Sequence, residues 1–174
     1  MAAASTENPM REIVIEKVTM NIGIGEPGER LEHAKSLIER LSGSKAIETK
    51  AHDRNPTFKL RKGMPIGAKT TLRGKKATAF LDKALASRKR VLREGNFDNR
   101  GNFSFGVKEY IDFPGAKYDP SIGMMGFDVC VTLGRRGSRV AKRKVAFAPV
   151  GKNHVVTKEE GMQYAKSKLN VSME

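Results

Sequence analysis

Along the first part of the chain, apolar and polar residues alternate. Over Glu12–Ile22, Val14, Val18, Met20 and Ile22 fall on one side of a predicted strand, with Lys17, Thr19 and Asn21 on the other. Gly23, Gly25 and Gly28 break that strand. The period then changes: Leu31, Ala34, Leu37, Ile38 and Leu41 recur at helical spacing within Arg30–Leu41, and Gly43 stands where a C′ glycine belongs. Lys45–Ala51 can form a second strand. Thr57–Lys62 alternates again, Phe58 and Leu60 against Lys59 and Arg61, before Gly63 and Pro65 interrupt it. The cleanest alternation is Ile66–Arg73, with Ile66, Ala68, Thr70 and Leu72 facing one way and Gly67, Lys69, Thr71 and Arg73 the other.

A second helix follows from the spacing of Ala77, Phe80, Leu81, Ala84, Leu85 and Leu92, and its end is basic (Arg88, Lys89, Arg90, Arg93). Asn102–Phe113 and Phe127–Leu133 read as further strands joined by a turn-rich loop, Pro114–Gly126. Phe103, Phe105, Val107, Ile111 and Phe113 share one side of the first of these, as core-facing residues do. Gly134–Lys144 is a basic loop containing glycine. Thr157 and Glu160 form a capping box opening a last helix that buries Met162, Ala165 and Leu169. Strands separated by a helix or by tight turns predict an α+β fold, a mainly antiparallel sheet with helices packed on one face. The opposite face is left free, lined by the polar sides of the first and fourth strands. Residues 9–174 are expected to form a single domain behind a disordered tail at 1–8.

Charge sharpens this picture. The net charge is +14, and two stretches without any acid hold more than that surplus: Arg54–Leu81 and Val129–Lys158, each with eight Lys or Arg. Segregated positive charge presents a face whose usual partner is a polyphosphate. The single cysteine, Cys130, excludes a disulfide framework and a cysteine zinc site. The opening residues carry neither a basic flank nor an apolar run, so they read as a frayed tail and not as a signal peptide. No stretch approaches the length of a membrane span. Together these features describe a soluble, intracellular, phosphate-seeking protein.

Competing chemistry finds less support. Gly23, Gly25 and Gly28, with Glu48 farther on, imitate a dinucleotide fingerprint and define the rival reading, a nucleotide-binding enzyme. Yet Glu26 and Glu29 occupy the helix start where a pyrophosphate would sit, Pro27 stiffens the loop, and the strands from Lys45 to Arg73 have no helices between them. The glycines better suit a tight turn and close backbone approach. Arg100–Val107 imitates the aromatic strand of RNA-recognition motifs with one residue too many, and core packing suits its phenylalanines better. His33, His52 and His154 are isolated, Ser138 is not in a nucleophile elbow, and Cys130 reads as packing. No catalytic residue, metal ligand or cofactor is expected. The basic residues of Arg54–Lys76 instead have no local acid to pair them, and a phosphate backbone would relieve their mutual repulsion.

Four blocks, Glu16–Glu26, Ser42-Gly43, Gly63–Gly74 and Phe97–Val107, closely resemble the large-subunit ribosomal protein five family, the universal 5S rRNA binders. The resemblance runs in order from about Asn8 to Leu133, and the chain is similar to the archaeal and eukaryotic branch. It implies a non-enzymatic constituent of the cytoplasmic large ribosomal subunit, monomeric there, attaching 5S rRNA in the central protuberance. The family's strand asparagine, the polar residue after Ser-Gly and a strand threonine fall on Asn21, Ser44 and Thr71. A serine stands at 44 where a longer glutamine is common. Lys17, Thr19, Lys69 and Arg73 share those polar strand faces and complete the expected rRNA-binding set. The resemblance further implies contact of Asn55–Met64, through Lys59, Arg61 and Lys62, with peptidyl-site (P-site) tRNA. A bridge to small-subunit ribosomal protein thirteen is implied around Pro114–Gly126, and 23S rRNA is a further candidate partner.

Overall fold

The central strand of the molecule is its first. A computed structural model describes residues 8–174, so the expected tail lies, apart from Asn8, outside the described residues. Strand β1 (Ile13–Gly23) pairs antiparallel on one side with β3 (Pro65–Leu72) and on the other with β6 (Phe127–Arg135). Outside them lie β2 (Ile47–Lys50) against β3 and β5 (Phe103–Val107) against β6, both antiparallel, giving the order β2-β3-β1-β6-β5. Helices α1 (Glu29–Ser42) and α2 (Gly74–Ser87) pack on one face, α1 mainly over β3 and α2 mainly over β1. The expected α+β architecture is therefore the one observed.

Alternation decides which side each residue takes. Val18, Met20 and Ile22 of β1, Ala68 and Leu72 of β3, and Val129, Val131 and Leu133 of β6 are buried beneath the helices. From the helices come Leu31, Ala34, Leu37 and Ile38 of α1, and Ala77, Phe80, Leu81, Ala84 and Leu85 of α2. Phe80 stacks against Phe113 at 5.3 Å between ring centres, and Phe113 meets Phe127 edge-on at 6.0 Å, tying α2 to the sheet. Truncating a fully buried leucine such as Leu85 would cost about 2–5 kcal/mol. The last helix, α3 (Lys158–Leu169), starts with the expected box, Thr157 Oγ1 accepting from Glu160 N–H and the Glu160 carboxylate accepting from Thr157 N–H. It leads into β7 (Ser172–Met173), which pairs in parallel with β4 (Val91–Leu92).

Several boundaries differ from the sequence expectation, each for a local reason. A bulge between Ile15 and Lys17 resets the alternation of β1, so Ile13 and Ile15, and not Val14, lean on the core. Helix α2 stops at Ser87 because Lys89 and Arg90 take left-handed backbone (φ 55° and 56°), and Leu92 is buried from β4 instead. Strand β5 ends at Val107. There Gly126 runs so close that a Cβ on it would lie 2.7 Å from the Lys108 carbonyl, and Tyr110 N–H bonds to Met125 O. The chain turns, burying Tyr110 and leaving Ile111 38 % exposed, so Ile111 does not share the side of Phe103 and Phe105. Thr57–Lys62 is not a strand but a tight turn closed by a single bridge between Asn55 and Leu60.

Candidate nucleic-acid interface

The face of the sheet opposite the helices is uncovered, and the register states what it displays. Asn21 stands between Lys69 of β3 and Asp128 of β6; Ile47 lies beyond Lys69, and Gly106 beyond Asp128. The next row is Thr71, Thr19, Cys130 and Ser104, and Lys17 stands opposite Thr132 in the row after. The expected residues Lys17, Thr19, Asn21, Lys69 and Thr71 are thus brought together on three adjacent rows of one surface. Neutral hydrogen-bonding groups occupy its middle, with ammonium groups beside them. Glycines keep the neighbouring row low: Gly23 faces Gly67, where a Cβ would lie 2.6 Å from Ile22 O and 2.9 Å from Thr49 Oγ1.

Arg73 lies just past β3, as the N-cap of α2, and begins an unusual helix start. Helices α1 and α3 carry Glu29 and Glu32, or Glu159 and Glu160, in their first turns, as the helix dipole favours. Helix α2 has no acid there, no side-chain cap, and Lys75 and Lys76 instead. Free N–H groups flanked by three cations suit a phosphate.

Ser44 is placed differently. It sits in the turn between α1 and β2, where its N–H bonds Ser42 Oγ (3.2 Å), outside the paired rows. Lys45 follows it, exposed, with its carbonyl accepting from Thr70 Oγ1 at 3.2 Å. Lys45, Asp128, Thr132 and Ser104 are surface residues that the sequence reading did not single out. The alternation of Phe127–Leu133 carried the signal for two of them, since residues between buried valines must face the other way. That alternation also puts Cys130 on the open face, exposed and not packed as expected. Partial desolvation, then the Asp128 charge, raises its thiol pKa, which disfavours a nucleophilic thiolate.

The turn holding Lys59, Arg61 and Lys62 extends the β2–β3 connection. Asn55 and Leu60 exchange backbone hydrogen bonds (3.1 and 2.9 Å), Asn55 Oδ1 accepts from Thr57 N–H, and Lys59 has φ 55°. Phe58 at its tip is 70 % exposed, and residues 52–59 are exposed throughout. In the other loop, Pro114–Gly126, Arg40 reaches Asp119 at 2.7 Å. Hydrogen bonds from Ser121 and then Arg40 hold the Asp119 carboxyl at about 2.

The rival site does not assemble. Gly25 (φ +86°) and Gly28 (φ +141°) make a tight turn in which Ile24 and Gly25 N–H both bond Ile66 O. Glu48 lies in an ion pair with Lys35 of α1 at 2.6 Å, which lowers the Glu48 pKa and raises that of Lys35. The strands adjoining that turn are antiparallel. Among the described residues no group of His, Cys, Asp and Glu could hold a metal ion, and no helix is long and apolar enough to cross a membrane.

The family pattern of ribosomal protein L5 matches residues 8–61, and the pattern of the same ribosomal family's C-terminus matches residues 65–164. The chain belongs to the ribosomal protein L5 family. It is 48% identical over 170 residues to the large ribosomal subunit protein uL5 of Methanococcus maripaludis, covering 96% of this chain and 94% of the relative. With uL5 of Sulfurisphaera tokodaii it shares 48% identity over 174 residues (99% and 98% covered), and with that of Sulfolobus acidocaldarius 46% over 173 residues (99% and 97%). An L5 protein is a structural, non-catalytic constituent of the large ribosomal subunit. The two matched segments interleave in one sheet, since β1 and β2 come from the first and β3, β5 and β6 from the second.

Proposed function

We propose that this L5 protein holds 5S rRNA on the open face of its sheet and anchors it in the central protuberance, with residues 9–174 acting as one unit. The observation that carries the reading is the register. Asn21, Thr71 and Thr19, able to bond sugar and base edges, stand side by side, with Lys17, Lys69 and Arg73 around them free of any carboxylate partner among the described residues. Folded RNA is read by this division, neutral groups for edges and 2′-hydroxyls, cations for the backbone. Ser44 lies outside those rows and plays at most a bordering part. The exposed turn with Lys59, Phe58, Arg61 and Lys62 reaches P-site tRNA, and Pro114–Gly126 forms the bridge to small-subunit ribosomal protein thirteen. The four cations of Val129–Lys158 that lack carboxylate partners offer 23S rRNA a further contact.

Asn21→Ala and Thr71→Ala test the anchoring face. Each is expected to weaken 5S rRNA binding by about 1–3 kcal/mol, because each leaves RNA groups unpaired in a dry contact. Filter binding with the purified RNA measures this, and urea unfolding serves as the control for folding. Normal binding by both folded variants would move the anchor elsewhere.

A further inference from the structure

A carboxylate on a surface that faces phosphates opposes binding unless it contacts something other than phosphate. Two strand carboxylates lie on the open side of the sheet. Glu16, over Gly134, is neutralised by Lys142. Asp128, exposed in the central row, is in no ion pair with a described residue although Lys69 stands one strand beyond its neighbour Asn21. On its other side is Gly106, whose added Cβ would come within 3.3 Å of Asp128 Oδ1, so the carboxylate leans over a strand position that has no side chain.

We infer that Asp128 and Asn21 together read one unpaired guanine of the bound RNA. The inference rests on the open face being the 5S rRNA surface. The Watson–Crick edge of guanine presents, in line, the O6 acceptor and the N1–H and N2–H donors. Among the four bases it alone sets two donors side by side, matching the two oxygens of a carboxylate. Asn21 and Asp128 are direct partners in the antiparallel register, so amide and carboxylate are next to each other. Asn21 Nδ2 donates to O6, and Asp128 accepts from N1–H and N2–H. The missing side chain at Gly106 gives the Asp128 carboxylate its place, and the low row at Gly23 and Gly67 leaves room for the rest of the base. Lys69, on the far side of Asn21, meets the adjoining phosphate. Such edges are open to protein in RNA loops and bulges, not within A-form helices.

The sign of one substitution separates this from the alternative. If Asp128 only repels phosphate, Asp128→Asn binds 5S rRNA more tightly. If it reads guanine, Asp128→Asn binds about tenfold more weakly, with an unchanged salt dependence, since no phosphate contact is lost. Affinity equal to or tighter than wild type overturns the inference. Lys69→Gln is measured in parallel. A weaker Lys69→Gln beside a tighter Asp128→Asn removes the guanine contact and leaves the 5S rRNA surface standing, whereas no effect of either variant removes both. In a second arm, unpaired guanosines of 5S rRNA are replaced singly by inosine, which lacks the N2 amine. One such replacement is expected to weaken wild-type binding severalfold and to add no further loss to Asp128→Asn. If no unpaired guanosine shows that coupling, the assignment is wrong.

Discussion

Between Arg54 and Leu81 eight Lys and Arg side chains have no carboxylate partner among the described residues, whereas between Val129 and Lys158 four of eight do. Arg135 meets Glu160 at 2.6 Å, Arg136 meets Glu12 at 2.9 Å, Lys158 meets Glu94 at 2.9 Å, and Lys142 meets Glu16. Both stretches are equally basic and equally free of acid along the chain. Tertiary structure brings acids from the N-terminal segment, β1, α3 and the residues just after β4 to the second and leaves the first bare. Local composition therefore states how much positive charge a segment carries, not whether that charge is available to a partner. The second stretch uses half of its cations in ion pairs that tie it to the N-terminal segment, β1, α3 and the residues after β4. The first keeps all of its charge free of carboxylate partners among the described residues.

The largest effect that could break this contrast is at Arg135, whose side chain is only 9% exposed. Arg135→Ala strips Glu160 of its partner and empties a packed site. Urea unfolding should show a loss of about 2–3 kcal/mol, less than for a fully buried pair because Glu160 is partly solvated. The salt dependence of RNA binding should stay at the wild-type value. An unchanged stability would mean that the second stretch is not a fastening.

Next is the turn at 55–64, where Arg61→Gln and Lys62→Gln combined should lower P-site tRNA occupancy on assembled ribosomes severalfold, through two lost phosphate contacts. Affinity for 5S rRNA should remain near wild type. Loss of 5S rRNA binding with tRNA occupancy intact would falsify the separation of these two surfaces.

Smaller, and confined to a slope, are Lys69→Gln and Arg73→Gln. Each should flatten the log–log dependence of 5S rRNA affinity on salt by about 0.7–0.9, while Arg136→Gln, already neutralised by Glu12, should leave it nearly unchanged. Equal slopes in all three variants would erase the distinction between free and paired cations.

The smallest effect is acid sensitivity. Paired carboxylates are held low: Asp119 from 3.8 to about 2 by Ser121 and Arg40, and Glu94 by Lys158. For Glu160, desolvation opposes the shift, but the Thr157 N–H and Arg135 outweigh it. A depressed carboxylate adds stability above its ordinary pKa and loses it as pH falls through the lowered value. Asp119→Asn should therefore lower the unfolding midpoint slightly near pH 5 and clearly less near pH 2, where about half of the native carboxyl is already protonated. A penalty undiminished at the lower pH would show that Asp119 does not act through its charge.

The sheet and its open face were legible wherever alternation was unbroken. Ile66–Arg73 became β3 with Lys69 and Thr71 outward, and Thr157 with Glu160 opened α3 as their spacing requires. Alternation failed where backbone geometry overrode side-chain pattern. The bulge at Glu16 shifted the early part of β1, and the tight Asn55–Leu60 turn carries Phe58 and Leu60 at strand spacing without being a strand. The apolar periodicity of α2 ran on to Leu92, but two consecutive left-handed residues ended the helix first. Alternation gave the outward facing of Asp128 but not the company it keeps. Asn21, Gly106 and Lys69 are far from it in the chain and adjacent only once β1, β3, β5 and β6 have paired.

The position of β1 in the middle of the sheet has a consequence for how the protein is made. An N-terminal strand flanked by β3 and β6 cannot gain its second neighbour until Phe127–Arg135 has left the ribosome that synthesises it, with most of the chain before it. Closing so long a loop is slow relative to forming α1 or α2. During translation, β1 therefore waits with one edge unpaired, and the row Lys69–Asn21–Asp128 does not yet exist. On the proposed reading, a nascent chain can hold phosphate loosely through Arg54–Lys76 long before it can discriminate among RNAs. Selectivity would then arrive in one step, late, when β6 docks.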